Sequence, residues 1–387
     1  MHNIYFDNSA TTAVLPEAAR EALRVMTEAY GNPSSVHGMG VEAKKLLDGA
    51  RATVLSSLGI RARGNYSLFF VSSGTEADNM AISGVIYSKK YRFTPRIITT
   101  DSEHPAVLNP IAEAEKRGFE VVRLSTVGGV IDMNELRDAL TPNTVLVSVM
   151  RVNNETGAVY DVKSIFSLVK ERCPEAVTHT DAVQGYMKVN CDPAKLGADL
   201  ISISGHKIGA PKGVGALLCE NSLITKKILN PIVFGGGQEN GYRSGTENMA
   251  GIVAMAEAVR VKRASLEADI EAVRAVRTAI IRDLPAGVKV NAPKGEYVPH
   301  VISLSAEGIK SEVLVRALSS EGICVSAGSA CSSKKLKTST ALTAFGLSPD
   351  VADSTFRVSL SPSNTVEEAE IFCRVLKELV GRLTKKH

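Results

Sequence analysis

Apolar residues recur every three to four positions from Ala18 to Ala29 and from Val41 to Leu58, the spacing of one buried helical face. The pattern then changes. Ser67 to Val71, Arg96 to Thr99, Glu120 to Leu124, Val145 to Met150 and Leu200 to Ile203 are short, largely apolar runs of strand length. Helical spacing returns between them, at Glu76 to Tyr91, Pro105 to Arg117 and Ser164 to Arg172. Strands separated by helices imply a mostly parallel sheet with helical crossovers. After Gly245 a long helical stretch, Gly251 to Asp283, leads the chain away, and from Val288 strands and helices alternate in a smaller α+β unit. Thr365-Val366-Glu367-Glu368 has the form of a capping box opening the terminal helix. The expected fold is α/β: a large domain over residues 16–262 with a mostly parallel sheet, and a smaller α+β domain built from residues 1–15 and 263–387.

Composition narrows the classes. A chain of 387 residues exceeds what one hydrophobic core usually organises, so two domains are expected, and 44% hydrophobic with 22% charged residues is a globular balance. A net charge of +4 is spread without a dense basic block, the run from Arg382 to Lys386 reading as a solvated tail, so binding to DNA is not implied. The start of the chain lacks the basic and apolar regions of a secretory signal, and no apolar run approaches the ~20 residues that cross a bilayer. A cytoplasmic location and no membrane association are expected. The six cysteines contain no Cys-x-x-Cys pair, which points to buried thiols rather than to a disulfide framework or a metal site. Asn65-Tyr66-Ser67 and Asn154-Glu155-Thr156 match the glycosylation sequon, and without secretion they are chance matches.

Two nucleophiles stand out. Ile203-Ser204-Gly205-His206-Lys207 places a lysine among small polar residues after a strand, where an amine could form a Schiff base, and Ser329-Ala330-Cys331-Ser332 places a thiol in a run of small residues. Neither a dinucleotide-binding glycine motif nor a P-loop occurs, because Gly209, Gly213 and Gly215 have the wrong spacing. Ser72-Ser73-Gly74-Thr75-Glu76-Ala77-Asp78 instead follows a strand and opens a helix, with Thr75 and Asp78 spaced as a cap. Such a helix start suits one phosphate, although taken alone it also reads as an ordinary capped terminus.

The ordered set of short motifs carries a resemblance. Phe6-Asp7-Asn8-Ser9-Ala10-Thr11-Thr12, Asn32-Pro33-Ser34-Ser35, Gly74-Thr75-Glu76-Ala77-Asp78-Asn79, Glu103-His104, Asn153-Asn154-Glu155-Thr156-Gly157, Asp181-Ala182-Val183-Gln184, Ser204-Gly205-His206-Lys207, Gly235-Gly236-Gly237-Gln238-Glu239, Arg243-Ser244-Gly245-Thr246 and Ser329-Ala330-Cys331 together resemble the NifS/IscS-type cysteine desulfurases. These are pyridoxal 5'-phosphate enzymes of the fold type I aminotransferase superfamily. Each motif is weak by itself, but their order spans nearly the whole chain.

The resemblance implies roles. Lys207 matches the lysine that holds the cofactor aldehyde and then moves the Cα proton, Asp181 the carboxylate that pairs with the ring nitrogen, and His104 the imidazole stacked on the ring. Gln184 matches the donor to the ring hydroxyl; Thr75, Ser204 and His206 match phosphate ligands, with Gly74 leaving the backbone open. Thr246 resembles the residue that reaches the phosphate of the neighbouring subunit, which implies a homodimer. Arg357 matches the arginine that grips the carboxylate of the L-cysteine substrate, and Asn154 the residue supporting substrate or cofactor opposite it. Cys331 matches the thiolate that attacks the substrate sulfur, releasing alanine and leaving a persulfide for a transient acceptor protein in iron-sulfur cluster assembly or tRNA thiolation. A selenocysteine lyase or aminotransferase of the same fold, and a non-catalytic sulfur-transfer scaffold, are the alternatives. Departures include Ser73 where the family usually has glycine, Ser361-Pro362-Ser363-Asn364 in place of a glycine-containing segment, and an end soon after Leu383, which leaves no longer tail for scaffold docking.

Overall fold

The computed structural model describes residues 3–61, 64–327 and 339–384. Seven strands form the larger sheet, in the spatial order Tyr66–Val71, Gly215–Glu220, Leu200–Ser204, Val177–Asp181, Thr144–Ser148, Arg96–Thr100 and Glu120–Leu124. Six run in one direction and Gly215–Glu220 is reversed, pairing antiparallel with both neighbours. Val177–Asp181 and Leu200–Ser204 are buried at every position, as expected for a parallel sheet covered by helices on both faces. The Val177–Asp181 run, with its Thr, His and Asp, carries too weak an apolar signal to be read from sequence. Two apolar clusters lie on the two faces, one around Val54, Ile165 and Ile203, the other around Phe69, Ile82 and Ile111.

Several helix starts follow from local chemistry. Pro16–Thr27 and Pro105–Lys116 begin on proline, whose missing N–H belongs to a helix position that needs no partner. Asp161 caps Val162–Arg172 by accepting from Ser164 N. In the helix Gly74–Ile86 the cap is Ser73, whose hydroxyl accepts from Glu76 N at 3.2 Å, and not the Thr75 and Asp78 pair expected from spacing. Asp78 instead points into the protein and is buried.

Helix Met249–Arg282 joins the two halves. Its first turns pack in the larger core through Ile252, Met255 and Val259, and its last through Val273, Val276 and Ile280 in a separate cluster with Phe356 and Phe372. That second cluster covers a four-stranded antiparallel sheet ordered Ser326–Ala327, Thr355–Ser359, Val301–Ala306 and Val288–Val290. The first strand of the chain, Ile4–Tyr5, also belongs here and pairs parallel with Ile323–Cys324. Phe6 follows it, fully buried and edge-on to Phe372 with ring centroids 5.7 Å apart.

Phe6 anchors the point from which the chain crosses to the larger sheet, so Phe6→Ala should leave a cavity costing about 3–5 kcal/mol. Urea denaturation should show a lower midpoint for the variant with little change in slope.

Candidate active site

The site gathers where the strands of the larger sheet end. Ser204, Gly205, His206 and Lys207 close the strand Leu200–Ser204 and its following turn, Asp181 ends the neighbouring strand, and Ser73-Gly74-Thr75 leave the strand Tyr66–Val71. His104 and Asn154 follow strands Arg96–Thr100 and Thr144–Ser148. Open α/β sheets bind ligands at this end because loops and helix N-termini converge there. A cavity of about 400 Å³ results, lined by Gly74, Thr75, His104, Asn154, Asp181, Gln184, Ser204, His206, Lys207 and Arg357. Ten of the twelve residues singled out in the sequence therefore meet in one place. Thr246 is exposed and lies outside this lining, in a loop held beside the helix Gly74–Ile86 by an Arg243–Glu76 ion pair of 2.8 Å. Cys331 lies outside the described residues.

At the floor, the Lys207 ammonium donates to the carbonyls of Ser9 and Ala10, the latter at 2.9 Å. The same N-terminal segment engages its neighbours: Gln184 Nε2 donates to the Ser9 carbonyl at 2.9 Å, and Thr11 Oγ1 lies 3.2 Å from His206 Nδ1. Burial, then the charges of Lys207 and Lys212, bring the His206 imidazole down to about 4, so at neutral pH it is an uncharged ligand in a cationic corner. Gly74 has no room for a side chain, since a Cβ would sit 2.6 Å from Val183 Cγ2.

His104 is the N-cap of helix Pro105–Lys116. Its Nδ1 accepts from Ala106 N at 3.1 Å, which assigns the proton of the neutral ring to Nε2. Burial keeps the ring below its ordinary value while the Asp181 carboxylate pulls the other way. Asp181 is itself raised by burial, offset by His104, the Val183 N–H and Lys207. A cation brought against Asp181 would favour its charged form.

Behind Asp181 lies a buried network that the sequence did not single out. His179 sits between Ser148, 2.8 Å from its Nδ1, and Ser202, 3.0 Å from its Nε2. Burial takes its pKa to about 3, so its 3.6 Å approach to Asp78 Oδ1 is not an ion pair. Asp78 is raised well above the usual carboxylate range by burial and then by the Asp181 charge. Glu103, accepting from Met150 N and Thr100 Oγ1 at 2.8 Å each, is pushed up by burial to about 8. Of three neighbouring carboxyls, Asp181 is the one with the Lys207 charge acting against the effect of burial.

On the opposite wall Arg357, 4% exposed, donates to the Asn154 carbonyl at 3.0 Å and to Asp7 Oδ1 at 2.9 Å. In the sequence Asp7 stands only within the motif Phe6 to Thr12; its ion pair joins residues 350 positions apart and leaves no local signal. Asn154 contacts the arginine through its main chain rather than its side-chain amide. Ser339 Oγ donates to Glu155 at 2.6 Å, and Thr340 and Ala341 complete the wall.

Four buried polar atoms of residues lining this cavity have no hydrogen-bond partner among the described residues: the carboxyl oxygens Asp78 Oδ1 and Glu103 Oε2, and the donors Ser204 Oγ and Arg357 Nε. Buried polar groups are almost always satisfied, so the two donors mark places where a ligand oxygen belongs. A phosphate fits the Ser204, His206 and Thr75 corner, a pyridinium ring fits Asp181 and His104, and a carboxylate fits Arg357. The residues present fit pyridoxal 5'-phosphate.

Such a fold and site define a pyridoxal-phosphate enzyme of fold type I. The Aminotransferase class-V family model matches residues 4–372, and the chain belongs to that family. It is 39% identical to a cysteine desulfurase IscS of Clostridium botulinum, over 97% of this chain and 94% of that protein. It is 36% identical to a putative cysteine desulfurase IscS 1 of Bacillus subtilis, over 99% and 100%. Among solved structures, a NifS-like protein superposes with a TM-score of 0.90 at 33% identity, covering 98% of this chain and 99% of that one.

Ser204→Ala should separate folding from cofactor binding. Deleting an unsatisfied hydroxyl should leave the apoprotein as stable as wild type or up to about 1 kcal/mol more so, while cofactor affinity falls about tenfold; thermal melts of the apoprotein and equilibrium dialysis read the two effects. Glu103 makes a signed pH prediction. Its carboxyl binds a proton in the folded state up to about 8 against an ordinary 4.5, so folded protein holds more protons in that window and stability falls as pH rises through it. In Glu103→Gln the melting temperature should fall less steeply than in wild type between about pH 5 and pH 8.

Proposed function

We propose that the chain is a pyridoxal-phosphate-dependent cysteine desulfurase that converts L-cysteine to L-alanine and leaves the sulfur on Cys331 as a persulfide. The observation that carries the reading is the meeting of Lys207, Asp181, His104 and Arg357 around one cavity, with described residues on both sides of position 331 bonded to groups of its wall. On one side Ser326 pairs with Arg357 in the smaller sheet; on the other Ser339 is bonded to Glu155.

Bound in the cavity, the cofactor supplies a carbonyl carbon for amines and an electron sink for the pair left when a Cα proton departs. Arg357 orients the substrate through its carboxylate, its fork already steadied by Asp7 and Asn154. The Lys207 amine takes and returns the Cα proton. His104, neutral with its proton on Nε2, can pass a proton on the face opposite its backbone bond. Asp181 holds negative charge at the ring-nitrogen end. The Cys331 thiolate attacks the substrate sulfur: the S–S bond forms as the Cβ–S bond breaks, the electron pair stays with carbon, and a proton delivered there completes alanine.

The finer reading follows the family likeness. We take residues 16–262 as the large domain and 1–15 with 263–387 as the small one, in keeping with the two core clusters. A homodimer is supported by large apolar side chains left exposed between positions 23 and 41, among them Leu23, Met26, Tyr30 and Val36, the last 97% exposed. In it Thr246 would reach the neighbouring phosphate. The five described cysteines are free thiols, as in the reducing cytoplasm, and the persulfide would pass to a transient acceptor protein for iron-sulfur clusters or tRNA thiolation.

The test is the purified enzyme given L-cysteine, with alanine and protein-bound persulfide measured in wild type and Cys331→Ala. Wild type should form both, and the variant should keep the visible absorption of bound cofactor yet form no persulfide. Normal alanine production by the variant would sink the assigned role of Cys331 and point to another reaction of the same fold.

A further inference from the structure

A second cavity, of about 870 Å³, lies on the other side of the N-terminal segment from the cofactor pocket, and Ser9 and Lys207 line both. Its volume is that of a small-molecule site. The walls come from both halves of the molecule: Lys188 and Lys262 from the larger, His300 and the turn 361–364 from the smaller, with apolar surface from Leu15, Val261 and Leu360.

Its charged groups are unevenly paired. Lys262 is paired with Asp269 at 2.9 Å, and Glu368 accepts from the neutral donors Asn364 Nδ2 and Thr365 N. Lys188, by contrast, donates to the uncharged amide Oε1 of Gln184 at 3.1 Å, and no carboxylate among the described residues forms an ion pair with it. Burial, then Lys207, Lys262 and Arg357, bring Lys188 down to about 7. His300, 6% exposed, has its Nδ1 buried without a hydrogen-bond partner among the described residues, and burial followed by Lys188 and Lys262 keeps it well below its usual range. One amine without an ion-pair partner among the described residues and one unsatisfied imidazole nitrogen thus line the same cavity. A bound anion would relieve both conditions. The apolar walls favour an anion with a hydrocarbon body and a single charge over a strongly hydrated one such as phosphate.

We propose that this cavity is a second binding site, for a small monocarboxylate with an apolar body, whose carboxylate is taken by Lys188. The site touches the chemistry. Lys188 holds Oε1 of Gln184, whose Nε2 is held by the Ser9 carbonyl beside Lys207. An occupant that draws the ammonium toward itself loosens that amide and is felt at the cofactor.

The test uses the holoenzyme, with its cofactor pocket filled, titrated with hexanoate by calorimetry. One equivalent should bind saturably, n-hexanol should not compete, and affinity should fall about tenfold or more in Lys188→Met while Lys188→Arg retains it. Because the chain has no tryptophan, Ser363→Trp puts a single fluorophore at the cavity mouth, and its emission should titrate with the same midpoint. The visible absorption of the cofactor should shift on binding in wild type. Absence of saturable binding, unchanged affinity in a folded Lys188→Met, or loss of binding in Arg357→Gln with retention in Lys188→Met would each overturn the proposal, the last by placing the carboxylate in the substrate pocket.

Discussion

The stretch from Asp7 to Leu15 is the constraint on which the site depends. Its carbonyls at Ser9 and Ala10 receive the Lys207 ammonium, its Thr12 N–H and hydroxyl both bond the His206 carbonyl, and its Leu15 N–H bonds Gly209. At its other end Asp7 holds Arg357 and Asn8 bonds the Ser359 carbonyl. One short segment, a turn followed by irregular chain, therefore fixes the lysine turn of the larger sheet against the arginine strand of the smaller. Main-chain groups do most of this work, so the geometry tolerates side-chain change better than it tolerates displacement of the backbone.

Electrostatics in the cavity are graded by burial and by which partner each group finds. His104, His179 and His206 are all held neutral, mainly by desolvation, so positive charge concentrates on Lys207 and Arg357. Three buried carboxyls share the opposite side. Burial raises all three; for Asp181 the Val183 N–H and the Lys207 charge pull the other way. Groups of one chemical type are thereby given different electrostatic surroundings, Asp181 alone with a cation acting on it.

The two cavities share a wall because the N-terminal segment lies between them, and Gln184 spans it. Its amide touches Ser9 on one side and Lys188 on the other. The residue that resembles a cofactor contact is thus also a link to a cavity marked by no sequence motif.

The strand-helix alternation, the long helix and the motif set were legible in the chain itself, because apolar periodicity and turn chemistry are local properties. From the alternation the mostly parallel sheet follows, and the resemblance carried by the motif set points to ten of the residues that line the cavity. What only the tertiary structure decided depends on contacts between distant positions. The ion pair of Asp7 with Arg357, the use of Ser73 in place of Thr75 as the cap, the burial of Asp78 beside His179 and the excess charge at Lys188 each arise when strands far apart in sequence are brought side by side. Desolvation and paired charge belong to neighbourhoods in space, and a linear pattern of residues carries no record of them.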